Sequence, residues 1–159
     1  MKLDLVTREL SRAEHNLCDG LHAIAARHKA DSDIHHIALD LAKWSENHIR
    51  ELSEYGNGHK PRLSALRWPV AASTRIQEWM SEPLRRRPEP ALLLLADLRR
   101  IHLMAAGVSL DWELLAQTAQ AAKDESLLEL ASRCHPETLR QMRWANAMIK
   151  ELSPQVLTN

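Results

Sequence analysis

Apolar residues recur at Leu3, Val6, Leu10, Ala13, Leu17, Leu21 and Ile24, in steps of three and four that place them on one helical face. This predicts a first helix over residues 3–28. The stretch "KADSDI" interrupts the pattern, and Asp31 or Ser32 offers an N-cap for a second helix running to about residue 55. The second stripe passes through Ile34, Ile37 and Leu41, and then through Ser45 and His48 before Leu52 and Tyr55. "GNGHKP" ends it. A short break between two long helices predicts an antiparallel hairpin.

The pattern is then lost over residues 57–88, where proline, arginine and tryptophan collect and a short helix over 71–80 is expected. A third helix is predicted from Pro90, since proline suits a first turn, through "ALLLLADLRRIHLMAA" and Trp112, Leu115 and Ala119 to residue 122. A fourth is predicted from about residue 124 to 152, with Pro136 kinking or restarting it and Pro154 closing it. Two tight hairpins joined by a long connection read as an all-α four-helix bundle with a crossover between helices two and three. At 159 residues this fits one domain, 1–159.

Composition narrows the partners. Lysine plus arginine equals aspartate plus glutamate, 21 each, which gives no global attraction to nucleic acid or to an acidic membrane. The start of the chain carries Asp4, Arg8 and Glu9 where a secretory signal needs an apolar core, and no apolar run is long enough for a membrane span. Two cysteines, Cys18 and Cys134, form no disulfide framework. A cytoplasmic setting without a membrane is the expectation. "PLRRRPEP", with Arg62, Arg67, Arg75, Trp68 and Trp79 upstream, is a basic, aromatic patch; without a nucleic-acid motif it reads as a connector covering the bundle. The Trp, Met and Arg residues of "HPETLRQMRWANAMIKELSPQVL" suit either a protein contact or the core of the fourth helix with a docked tail, and a homo-oligomer is expected.

The candidate chemistry lies on the apolar stripes. Glu14 follows Leu10 by four and precedes Leu17 by three, so it points inward, and His48 does the same between Leu41 and Leu52. Counted from the first turn, Glu14, Ser45 and His48 stand at similar heights. His102, between Leu98 and Ala105, is also on an inner stripe. A buried carboxylate costs several kcal/mol unless paired or ligated. A transition metal on Glu14, His48 and His102 would satisfy all three, and so would a hydrogen-bonded core pair of Glu14 and His48 without metal.

The segment "AEHNLCDGLHAIAARHKADSDIHHIALDLAKWSENHIRELSEYG" resembles the first hairpin of the ferritin-like superfamily, in which an inward glutamate meets a Glu-x-x-His on the next helix. Glu14 matches the glutamate and His48 the histidine, while Ser45 replaces the bridging carboxylate. In the second half, Asp97 or His102 would replace the third-helix glutamate, and Gln141 and Trp144 occupy the Glu and His spacing. The resemblance implies a ferritin-like bundle. It also implies a single iron, manganese or zinc ion with a redox or stress-related role, since a di-iron centre needs more carboxylates. The alternative is a self-associating helical module, non-catalytic and without the metal.

Overall fold

The structure, a computed structural model, describes residues 2–58 and 89–158. Four helices make it up: α1 (Lys2–Arg27), α2 (Ser32–Gly58), α3 (Pro90–Ala122) and α4 (Glu125–Leu157), with no strand among the described residues. The expected short helix over 71–80 and the basic, tryptophan-bearing patch lie outside the described residues.

Local chemistry sets the helix ends. Asp31 caps α2 by accepting from the Ile34 N–H at 3.1 Å, and Asp124 caps α4 by accepting from the Leu127 N–H at 3.0 Å. Between α3 and α4, Lys123 takes a left-handed conformation (φ 56°). The turn closes with the Asp124 N–H on the Ala119 carbonyl at 2.9 Å, a bond of the kind that ends many helices.

The expected restart at Pro136 and the expected stop at Pro154 do not occur. α4 runs through Pro136 and also through Pro154 to Leu157. Both prolines are exposed, as are Ser132 and Lys150, whose carbonyls lose the usual N–H partner. Freed carbonyls on the wet face are hydrated, which is why proline is tolerated there. The inner stripe of α2 also differs by one position. Ile37 is 39% exposed, and Ala38 and Ala42 take the inner places.

Cross-helix contacts give the arrangement. α1 runs antiparallel to α2, with His35 bonded to the Ala25 carbonyl and His48 to Glu14. It is also antiparallel to α3, with Arg27 on Asp97 and Trp112 on Glu14. Gly20 lies so near α3 that an added Cβ would stand 3.1 Å from Ile101 Cδ1 and 3.2 Å from Met104 Cε, so a side chain there would require those two side chains to shift. α3 and α4 are antiparallel through the Ser109–His135 and His102–Met142 contacts. α2 and α4 are antiparallel through Tyr55–Asp124, Glu51–Arg133 and His48–Glu137. Each helix therefore packs on two neighbours, leaving α1 diagonal to α4 and α2 to α3.

The two ends of the bundle each rest on an aspartate. At one end Asp97, near the start of α3, accepts from Arg27 at 2.6 and 2.7 Å and from His28 at 2.9 Å, both at the end of α1. Asp97 is thus buried and tied to the end of α1. At the other end the Tyr55 hydroxyl, in the last turns of α2, donates to Asp124 at 2.5 Å. Hence α2 finishes and α3 begins at opposite ends of the bundle. Among the described residues no helix is long and apolar enough to cross a membrane.

Candidate functional site

Midway along the bundle one layer of the core is polar. Glu14, Ser45, His48, Thr138 and Gln141 all have 0% exposure, beside a fully buried Trp112. Each is held by the helical spacing that buries its neighbours: Leu10 and Leu17 flank Glu14, Leu41 and Leu52 flank His48, and Val108 and Leu115 flank Trp112.

His48 is the hub. Its Nδ1–H donates to Glu14 Oε1 at 2.8 Å and its Nε2–H to Glu137 Oε2 at 2.8 Å. The Trp112 Nε1–H donates to the same Glu14 oxygen at 2.7 Å. The indole also stands edge-on to the imidazole, with ring centroids 5.7 Å apart. Four helices thus meet in one network. One turn along, the Gln141 side-chain amide donates to Ser45 Oγ at 3.0 Å and to the Leu41 carbonyl at 2.9 Å.

Burial pushes the His48 pKa down, but the hydrogen bond and charge of Glu14, followed by those of Glu137, outweigh it and leave the pKa raised. A donor at both ring nitrogens is an imidazolium, and two carboxylates are its counterions. Because the folded pKa is raised, the stabilisation is complete below the unfolded histidine value of about 6.5. It is lost as pH rises through the folded value. We therefore expect the urea midpoint to fall as pH is raised past that value. Glu137→Gln should move the fall to lower pH, because Glu14 alone then holds the proton. An unchanged pH profile in Glu137→Gln would contradict a doubly paired His48.

Glu14 and His48 come together as their spacing predicts, and His102 does not join them. Its ring donates to the Met142 carbonyl at 3.1 Å and is half-buried. It lies ten residues from Trp112 on α3, about 15 Å along the helix axis. Heights counted from each hairpin's own turn misplace it, because the two turns sit at opposite ends of the bundle. Trp112 takes the α3 place beside Glu14. On α4 the layer holds Glu137, Thr138 and Gln141, with Trp144 one turn beyond. Glu137 escaped notice because its side chain is 32% exposed, off the buried stripe, and follows Pro136.

The donor set tests poorly as a ferritin-type metal centre. Both nitrogens of the one imidazole are committed, and the two carboxylates stand at opposite edges of the ring. A single ion cannot take both carboxylates and the imidazole without the ring being re-oriented. Four buried polar atoms have no hydrogen-bond partner among the described residues: Glu14 Oε2, Thr138 Oγ1, Gln141 Oε1 and Trp144 Nε1.

Neither thiol is activated by its protein surroundings alone. Burial, helped by nearby carboxylates, raises Cys18 to about 11 and Cys134 to about 12, so both stay protonated at neutral pH. No protein-family model, no curated protein and no solved structure matches this chain.

Proposed function

We propose that the chain is a ferritin-like bundle serving as a self-associating, non-catalytic helical module, with a protonated Glu14–His48–Glu137 network where a ferritin-type metal layer would stand. The observation that carries this reading is that each His48 ring nitrogen lies 2.8 Å from a carboxylate oxygen, Glu14 on one side and Glu137 on the other. With both carboxylates ionised, each nitrogen carries a proton and no ring lone pair is left for a metal. The opposite-end placement of the α2 finish and the α3 start supports the ferritin-like crossover.

Self-association is supported by α3. Leu92, Leu103, Leu110 and Leu114 are 44%, 42%, 62% and 58% exposed, and their spacing of eleven, seven and four keeps them on one face. The stripe matches itself. Two α3 helices crossing antiparallel at Leu103 would set Leu92 against Leu114 and Leu110 against Ala96, large against small. A two-fold symmetric contact has that form, so the occupant is a second copy of this chain.

The second reading is one iron, manganese or zinc ion held by Glu14 and His48. It rests on the partnerless, fully buried Glu14 Oε2. Light scattering and elemental analysis of the same untagged, dialysed protein decide between the two. A dimer that becomes monomeric on Leu110→Glu with Leu114→Glu, and no metal sensitive to Glu14→Ala, supports the module. A monomer, or near-stoichiometric metal that disappears in Glu14→Ala, overturns it.

A further inference from the structure

Outside the polar core layer, the groove between α1 and α2 holds a second set of donors that neither reading uses. Cys18 and His22 lie one turn apart on α1, so their side chains share a face. Glu46 faces them from α2. Ligand atoms of the three, Cys18 Sγ, a His22 ring nitrogen and a Glu46 oxygen, all lie within 4.8 Å of one another. Among the described residues this is the one group of three or more His, Cys, Asp or Glu side chains that meets that spacing.

We propose that Cys18, His22 and Glu46 form a binding site for a single zinc ion, or a divalent ion of similar softness, on the α1–α2 surface. The three ligand atoms stand within side-chain rotation of an ion-binding arrangement. Zinc bonds of about 2.3 Å to sulfur and about 2.0–2.1 Å to nitrogen and oxygen put ligands in a tetrahedral site roughly 3.3–3.8 Å apart. His22 Nε2 and Glu46 Oε1 are hydrogen-bonded at 2.9 Å, so binding through Nε2 moves the ring proton to Nδ1 and exchanges that bond for two bonds to the ion. The Cys18 thiol makes only a long contact, 3.9 Å to the Ala42 carbonyl, and has little to give up on turning to a metal.

The chemistry fits as well. A thiolate and an imidazole select zinc over magnesium or calcium. Thiolate and carboxylate together carry two negative charges, which a divalent cation neutralises with neutral imidazole as third ligand. Binding breaks the Cys18 S–H bond, forms a sulfur–metal bond and releases that proton to solvent. Cys18 is buried, whereas the side chains of His22 and Glu46 are 45% and 52% exposed. The ion would therefore have protein on one side and an open fourth position toward water, the layout of three-ligand zinc sites.

Cobalt(II), as a spectroscopic substitute, and zinc are titrated into the full chain after chelator dialysis. Saturable binding of one Co2+ with a thiolate-to-cobalt charge-transfer band, displaced by Zn2+, is the expected result. Cys18→Ser should abolish the band. His22→Ala and Glu46→Gln alter surface side chains, keep the fold, and should weaken binding at least about tenfold. His36→Ala, on an exposed histidine elsewhere, serves as the control and should change nothing. A metal held by the core would instead survive His22→Ala and vanish in Glu14→Ala, so the two sites are told apart. Absence of saturable binding, a complex without the charge-transfer band, or full affinity in His22→Ala would overturn the site. Any of these leaves a surface His22–Glu46 pair beside an inert thiol.

Discussion

Glu14→Ala is expected to lower the unfolding free energy by about 3–5 kcal/mol, the usual loss when one partner of a buried ion pair is removed. The substitution strands two donors at once. His48 Nδ1–H and Trp112 Nε1–H share Glu14 Oε1 and lie at 0% exposure, where water does not reach them. It also withdraws the closer-buried counterion of an imidazolium, so His48 shifts toward its neutral form and becomes less well paired with Glu137. For a domain of this size each kcal/mol is worth about 2–4 °C, so the midpoint of thermal unfolding should fall by at least about 6 °C. A double replacement separates pairing from packing. Changing Glu14 and His48 together to leucine should cost much less than the sum of the single losses, since the charge that then loses its partner is Glu137, whose side chain is 32% exposed to water. Chemical denaturation of the two single variants and the double variant measures this. Additive losses would mean that Glu14 and His48 are not coupled, and the core network would have to be abandoned.

The second large effect belongs to Trp112. Trp112→Ala should cost about 3–5 kcal/mol, because a fully buried indole leaves a cavity that rigid helices fill poorly. Trp112→Phe separates the two jobs of the ring. Phenylalanine keeps most of the apolar contact but gives Glu14 no N–H, and should cost about 1–3 kcal/mol, in the range of a buried acceptor losing a donor. Its pH dependence should change too, since Glu14 then has His48 as its sole donor. Equal losses in Trp112→Ala and Trp112→Phe would show that the hydrogen bond, not the volume, dominates; a negligible loss in Trp112→Phe would show the reverse.

Helix placement was readable because it depends on near neighbours. Pro90 and the cap at Asp124 mark ends by local chemistry, and the stripe from Leu10 to Ile24 needs only its own periodicity. The inward Glu14 and His48 were readable for the same reason. What escaped depends on how helices meet. Ile37 and Ala38 are one residue apart and both fit a helical stripe; the close packing of α1 on α2 decides in favour of the smaller one. By spacing alone His102 and Trp112 both fit the inner stripe of α3, and only the relative direction of the two hairpins says which of them comes level with Glu14. Glu137 lies at the edge of its helix face, where spacing carries little information. His22 and Glu46 are on polar faces, so no apolar pattern points to them, and their approach to Cys18 exists only after α1 and α2 have docked.

The bond from Tyr55 to Asp124 has a consequence for how the molecule loosens. One oxygen of that carboxylate starts α4, by accepting from the Leu127 N–H, while the other accepts from the phenol near the finish of α2. The two helix ends are over sixty residues apart in the chain, yet they share one anchor. Fraying of either end costs the other its support. The finish of α2 and the start of α4 should therefore open together, as one cooperative unit at that end of the bundle.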